Sequence, residues 1–371
     1  MIKISGRGKM FTKSETNKVK GIAVLFLIFH HMYRTVDDIA ARGVTLHVLR
    51  DDNLSKLAYC LRICVYIFAI ISAYGISLQY DTIKDKKHDT FKFIIKRWIK
   101  LLAPFWFTLV CIWLVYAIVP GLDPFQTYQG GNIVGMMAGE FFALLDVLGC
   151  SYNMIVGVAW YMDFAVLELL AIPFLYYLCE KFGWAILLFT SAFYNFIPIV
   201  FNSDFGGDYN YYIFAVEVGV LLSRGDVMSR IKEKYDGLTA IYKVMVVMIL
   251  ILIMFGTPYM AWFKVESNIF GARSILFTTG ATACIFISYL GIREKHVEKI
   301  LAFLGRYSGD MFLTHTLVYC HLSNIVFWSK DILVQYATCV VICLVLAVLL
   351  GTLKKYTRYN QIINRLCKRI C

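Results

Sequence analysis

The chain has 371 residues, of which 59% are hydrophobic and only 17% are charged. This composition excludes an ordinary soluble enzyme, because several stretches approach the roughly 20 apolar residues that cross a bilayer. The net charge of +12 falls mainly in short loops beside apolar segments, which indicates positive-inside topology rather than nucleic-acid binding. The 11 cysteines have no zinc-type spacing, so neither disulfides nor a bound metal is expected. The sequence predicts an all-α, polytopic membrane helix bundle.

Ten segments are predicted to span the membrane, and an even number places both termini on the same side. The basic tails indicate that this side is the cytoplasm. Residues 1–18 and 353–371 are basic cytoplasmic tails that flank one integral membrane domain over 19–352. The first span lacks a small-residue cleavage site and is expected to be retained. The predicted spans are 19–36, 57–79, 101–119, 159–179, 184–201, 209–223, 241–261, 271–291, 300–321 and 332–352.

The segment 134–149 is apolar but short, and it carries Glu140 and Asp146. If it crossed the membrane, every later basic loop would lie outside, against the positive-inside rule. It is therefore predicted to be an additional interfacial or re-entrant helix. The predicted outer loops 120–132 and 202–212 contain no Lys or Arg and are rich in Gly, Asn, Asp and aromatic residues. They suit either an aromatic belt or a surface that stacks carbohydrate.

The first predicted span carries two adjacent histidines, His30 and His31. Lys20 and His31 are almost a whole number of helical turns apart, so they share one face and lie about 16 Å apart along the axis. An ionisable group this deep in a membrane helix is costly and indicates a functional site. Histidine suits a general base near neutral pH, although a histidine bonded to a neighbouring helix is the structural alternative.

A second histidine lies in the ninth predicted span. Ser308 and His315 are about two turns apart and share a face. If this span begins near residue 300, His315 lies at a depth similar to that of His31. Two histidines at one depth favour a reaction centre, and two unrelated buried polar residues are the alternative.

Two further clusters could contact substrates. Lys96, Arg97 and Lys100 precede the third predicted span, where they suit a phosphate-bearing ligand or anionic lipid, or serve only as a topology signal. Pro104 is expected in the first turns of that span. Trp160 and Asp163 lie at the outer end of the fourth span. Acids there could bind a substrate hydroxyl or form an ion pair between helices.

These stretches together resemble the acyltransferase-3 family of multi-pass membrane acyltransferases. The family includes bacterial O-acetyltransferases of surface polysaccharides and O-succinyltransferase-like proteins of exopolysaccharide loci. Lys20 and His31 match its Arg-x10-His pattern, with Lys in place of Arg. The stretch KRWIKLLAPFW matches its basic R-x-x-R-L-x-P element at Arg97, Lys100 and Pro104, again with one Lys for Arg.

Two later stretches carry the same resemblance. AWYMDF, which includes Trp160, resembles the Trp-centred start of the family's fourth span. LGRYSGDMFLTH resembles the late signature L-G-x-x-S-x-x-x-Y-L-x-H, with Gly305, Ser308 and His315 in place and Phe312 as the aromatic residue. Four matches in order cover nearly the whole chain.

The resemblance implies acyl transfer at a bacterial cytoplasmic membrane. The donor would be cytoplasmic acyl-CoA, most often acetyl-CoA, used as a substrate rather than a permanently bound cofactor. The acceptor would be a hydroxyl of a cell-surface or lipid-linked carbohydrate. Lys20, Arg97 and Lys100 would hold the CoA phosphates by charge-assisted hydrogen bonds.

The resemblance also implies roles for the histidines. His31 would remove the proton from the acceptor hydroxyl, while His315 or Ser308 would orient it or stabilise the oxyanion. Trp160, Asp163 and His30 would contact the acceptor. No appended extracytoplasmic hydrolase-like domain is expected, so either the membrane domain itself or another glycan-assembly membrane protein would complete the transfer.

A membrane exporter of sugars or acylated glycans is the alternative function. It would also have intramembrane histidines and aromatic outer loops, but it would have no acyl-CoA site. A glycan polymerase would show a large outer loop rich in Arg and His, and the longest predicted outer segment, 120–158, has neither.

Overall fold

The computed structural model describes residues 11–44, 50–119, 128, 132–145, 155–158, 160–183, 185–186, 211–224, 227–265 and 270–370. These residues are helical, and no β-strand occurs among them. The helices are α1 (Lys13–Tyr33), α2 (Val36–Ala41), α3 (Asp51–Cys60), α4 (Ile63–Asp81), α5 (Lys86–Ile118), α6 (Ile133–Phe142), α7 (Trp160–Phe182), α8 (Ile213–Leu222), α9 (Val227–Asp236), α10 (Ala240–Phe263), α11 (Phe270–Phe286, continued by a π-helical turn, Ile287–Gly291), α12 (Lys295–His321), α13 (Ser323–Val326), α14 (Ile332–Tyr356) and α15 (Tyr359–Ile370).

Among the residues that the structure describes, six helical segments are long and apolar enough to cross a membrane, and each overlaps a predicted span. They are Asp51–Asp81, Lys86–Ile118, Trp160–Phe182, Ala240–Phe263, Gly271–Gly291 and Ile332–Tyr356. The predicted spans 19–36 and 300–321 fall in α1 and α12, which do not reach the apolar content of those six. The span 209–223 overlaps the shorter helix α8, and 184–201 lies outside the described residues except for 185–186. A total of ten spans remains a prediction.

The chain divides into two compact units. Unit 1 consists of Met1–Thr82 and Ala171–Arg306, and unit 2 consists of Ile83–Leu170 and Tyr307–Cys371. In unit 1, α4 packs against α1, α8 and α11, and α10 packs against α11. The middle of α4 is fully buried, so this helix forms the core of unit 1.

Helix α1 begins earlier than predicted. Thr12 caps it through a reciprocal pair of hydrogen bonds with Glu15, the arrangement known as a capping box. Residues 13–18, predicted as part of a polar tail, therefore belong to the helix. The sequence has Thr12 and Glu15 at the two positions that this cap requires, a signal that is separate from the apolar pattern of a membrane span.

Two ion pairs join segments of unit 1 that are distant in sequence. The buried ammonium of Lys18 lies 2.8 Å from the carboxylate of Glu298 and 3.0 Å from the carbonyl oxygen of Ile292. Arg293 donates a hydrogen bond to Asp236 and holds the pKa of that carboxyl below its usual range. Both pairs depend on residues that are distant in sequence, so the sequence pattern could not predict them.

Two glycines let the backbones of α1 and α12 approach closely. A Cβ atom on Gly21 would lie 2.1 Å from the carbonyl oxygen of Leu301, and one on Gly305 would lie 1.7 Å from that of Asn17. Neither distance is compatible with a side chain, because close-packed atoms cannot overlap to that extent. Gly305, the first of the two glycines in the late stretch LGRYSGDMFLTH, is therefore a packing residue between α1 and α12.

Helix α5 of unit 2 is longer than the predicted span 101–119. The basic stretch predicted as a loop is helical from Lys86 onward, with Asp85 as its N-cap. Pro104 therefore lies near the middle of a helix about 50 Å long, and not in its first turns. Proline cannot donate to the carbonyl of Lys100, so the break in hydrogen bonding falls in the basic part of the helix. The prediction was wrong because the polar segment itself has helix-forming residues.

Helix α6 has ten residues and is about 15 Å long, roughly half the hydrocarbon thickness. Its end packs on the middle of α5, where the ring of Phe141 stacks on Trp106 at 5.0 Å and that of Phe142 on Trp98 at 6.2 Å. Trp106 is about 18 Å along α5 from its end at Ile118. These contacts agree with a non-spanning segment, and they favour the re-entrant alternative.

The basic C-terminal tail is largely helical. Arg358 has a positive φ of 54° and separates α14 from α15. Tyr359 donates a hydrogen bond to the carbonyl of Ala103 at 3.0 Å. Ile363 and Cys367, at successive helical turns, pack in the same apolar cluster as α5. The tail is thus docked on α5, a contact that its i, i+4 pattern of apolar residues could have indicated.

Candidate functional site

The face of α1 that carries Lys20 and His31 is largely buried. The helix is continuous between the two residues, so they lie on one face as predicted. Val24 and Leu27 occupy that face between them and are fully buried, while Lys20 and His31 are half-buried. Both charged or ionisable groups therefore border the protein interior.

His30 lies on a different side of α1 from His31. It is buried, and its Nδ1 donates to the carbonyl oxygen of Ala58 at 2.8 Å. Its ring lies 5.1 Å from that of His31 and 5.9 Å from that of Tyr59, both in edge-on geometry. Since the carbonyl only accepts, the neutral tautomer of His30 has its proton on Nδ1. His30 fixes α1 to α3, and its contact with the acceptor remains a prediction.

The Trp160 stretch and the late histidine come together in unit 2. The ring of Tyr161, next to Trp160, lies 5.3 Å from that of Phe312, which lies 6.1 Å from His315. Asp163 is also buried in the first turn of α7. Two stretches that are separate in sequence thus form one neighbourhood of aromatic rings and buried polar groups.

Ser308 and His315 share the buried side of α12 with Met311. His315 is fully buried, and its Nδ1 lies 2.7 Å from the carbonyl oxygen of Phe312. That contact fixes the proton on Nδ1 and leaves Nε2 as the acceptor nitrogen of the neutral ring. The histidine is therefore in the tautomer that can accept a proton from a hydroxyl.

The predicted cluster on α5 spreads over more than one side of the helix. Lys96 and Lys100 are exposed and one turn apart, while Arg97 is half-buried with its guanidinium 5.8 Å from the Phe93 ring. Arg97 lies about 60° around the helix from Lys100, so the two are neighbours rather than aligned. Both side chains can still reach one anion from adjacent faces.

Helix α15 adds basic side chains that the sequence reasoning missed. Its docking on α5 brings three exposed cations into the same unit as Lys96 and Lys100. They are Arg365, Lys368 and Arg369. Their position in a tail gave no indication that they accompany the α5 cluster.

Glu140 is a buried acidic residue that binds the backbone just before Trp160. It accepts hydrogen bonds from the hydroxyl of Tyr128, from the backbone N–H of Ile155 at 3.3 Å and from that of Val156 at 2.9 Å. Such charge-assisted bonds hold the segment just before α7. In the sequence alone, Glu140 indicates only that the segment 134–149 is a poor membrane span.

The sequence profile of the acyltransferase-3 family, described as an acyltransferase domain, matches residues 17–353. The chain belongs to the acyltransferase-3 family. A comparison with curated proteins and one with solved structures found no match. Together with its six membrane-length apolar helices, membership of this family makes the protein a membrane acyltransferase. The match begins in α1 and ends in α14, so it includes the helices that carry His31 and His315.

Proposed function

We propose that the protein transfers an acyl group, most simply acetyl, from cytoplasmic acyl-CoA to a hydroxyl of a cell-surface or lipid-linked carbohydrate. The observation that carries the proposal is one largely buried face of α1, which holds Lys20 and His31 about 16 Å apart. A cation at one end and a proton acceptor at the other suit a donor that has phosphates at one end and a thioester at the other.

In the proposed reaction, the acceptor hydroxyl oxygen attacks the thioester carbonyl and His31 takes the hydroxyl proton. The carbon–sulfur bond then breaks, an ester forms, and the proton passes to the departing CoA thiolate. General-base catalysis of this kind is typically worth about 10²–10⁴-fold in rate. The Ser308 hydroxyl and His315 are assigned to hydrogen bonding of the acceptor and the oxyanion.

The donor and the acceptor each have assigned side chains. Lys20 in unit 1, and Arg97 with Lys100 in unit 2, are assigned to phosphate oxygens of acyl-CoA. Trp160 is assigned to the flat face of a sugar, and Asp163 to a sugar hydroxyl. The buried state of Asp163 means that the acceptor has to displace neighbouring side chains to reach it.

The proposal is tested by acyl transfer in lipid nanodiscs that contain the purified protein. Release of free CoA thiol from acetyl-CoA is followed with and without surface glycan, and the glycan is then weighed by mass spectrometry. Acceptor-dependent thiol release and a gain of one acetyl mass support the proposal. Movement of unmodified glycan across a membrane, without thiol release, would instead identify an exporter.

A further inference from the structure

Unit 2 contains a groove of about 260 Å³ between α5, α12 and α14. Its walls are almost entirely apolar. They include Ile112, Val115, Leu317, Val318, Leu346 and Leu350. The part of α5 that lines it, from Thr108 to Tyr116, is about 12 Å long, close to the thickness of one hydrocarbon leaflet.

The groove lies at membrane depth and is open to the bilayer. Both α5 and α14 are membrane-length apolar helices. Residues beside the lining, such as Leu114 and Val345, are more than half exposed, as expected of side chains that face lipid. Water gains few hydrogen bonds in a site of this kind. Hydrocarbon is therefore the natural occupant.

One end of the groove is polar. There the hydroxyl of Tyr116 lies 2.8 Å from Nε2 of His321, and His321 is exposed. Near the other end, Asp310 and Lys354 pair with each other at 2.5 Å. Since Lys354 is near the predicted cytoplasmic terminus, the Tyr116–His321 pair lies towards the predicted outer surface, at the level of a lipid headgroup.

We propose that this groove binds the hydrocarbon chain of a lipid-anchored acceptor, whose polar headgroup meets Tyr116 and His321. The proposal rests on the function proposed above and narrows the acceptor to one with a lipid anchor. Helix α12 forms one wall of the groove and also carries Ser308 and His315. A chain in the groove would hold its headgroup about 9 Å along that helix from His315.

Selectivity for this ligand has to come from the headgroup. A hydrocarbon chain that moves from bilayer to groove gains little from the hydrophobic effect, because lipid is as apolar as the groove walls. The hydrogen bonds offered by Tyr116 and His321 are the feature that distinguishes one lipid from another. Loss of one such bond should weaken binding about tenfold.

The test uses dodecyl β-glucoside with a photoreactive diazirine at the end of its chain, added to nanodiscs that contain the protein. Labelled positions are mapped by mass spectrometry. We expect labelling of groove-lining residues, competed by dodecyl glucoside but not by methyl glucoside or excess phosphatidylglycerol. Leu346→Trp, which fills the groove, should remove the label. Val345→Trp, one residue away and facing lipid, is the matched control and should retain it.

A second variant tests the polar end without filling the groove. Tyr116→Phe should require about tenfold more glucoside for the same labelling. Equal competition by phosphatidylglycerol would assign the groove to bulk lipid and overturn the proposal. Labelling spread evenly over Val345 and the groove wall would do the same, as would competition by methyl glucoside.

Different results would contradict the proposed anchor site and the proposed function. The thiol-release assay is run on the same nanodiscs with the glycan acceptor. Absence of transfer by the wild-type protein would overturn the proposed function whatever the labelling shows. Transfer to a lipid-anchored glycan that is unaffected by Leu346→Trp would overturn only the anchor site.

Discussion

The close contact between α1 and α12 predicts different effects of alanine substitutions at Gly305 and Gly309, which lie about one turn apart in α12. In Gly305→Ala, the new Cβ would meet the carbonyl oxygen of Asn17 at 1.7 Å, so the two backbones have to separate by more than an ångström. Overpacking typically costs about 1–3 kcal/mol, and a clash between a Cβ and backbone should reach about 3 kcal/mol or more. Gly309→Ala meets no atom within 4 Å and should gain about 0.5–1 kcal/mol from helix propensity.

The assay is thermal unfolding of the purified variants in one detergent, with thiol release measured in parallel. Gly305→Ala should lower the unfolding midpoint by several degrees, and Gly309→Ala should leave it unchanged or raise it. Gly21→Ala tests the same helix pair from the other side and should also destabilise. Equal effects of the two substitutions on α12 would refute close backbone contact as the role of Gly305.

Three further predictions concern individual groups. Arg97→Ala should raise KM for acyl-CoA more than KM for the acceptor, because it removes the phosphate contact proposed for Arg97. An equal rise in both KM values would indicate a structural role. Glu140→Gln should cost about 1–3 kcal/mol in unfolding free energy, because it leaves buried donors such as Tyr128 poorly paired. An equal loss of unfolding free energy in the half-buried control Asp89→Asn would contradict that explanation. A tag after Cys371 should be inaccessible from outside intact cells, and external labelling would contradict the predicted topology.

The sequence was sufficient to predict those features that depend on a single helix. The Lys20–His31 face follows from helical spacing alone, and the continuous α1 confirms it. The spacing of Ser308 and His315 is correct for the same reason. Positive-inside bias also identified α6 as non-spanning, because the basic loops after it constrain the whole topology.

Features that depend on contacts between helices could not be predicted. Nothing in the sequence shows that Lys18 pairs with Glu298, or that Gly305 meets the backbone of α1. The length of α5 was missed because hydropathy detects only its apolar half, while the basic half is helical as well. The ring contacts that bring Tyr161 to Phe312 likewise depend on the packing of α7 against α12.

The most direct test of the central claim is the mass of surface glycans from cells that carry the wild-type protein or His31→Ala. Insertion of the variant in the membrane is verified first, and His88→Ala, at the exposed start of α5, serves as the control. We expect that glycans from His31→Ala cells lack one acyl group that wild-type and control glycans carry. Wild-type acyl content in the His31→Ala glycans would contradict it.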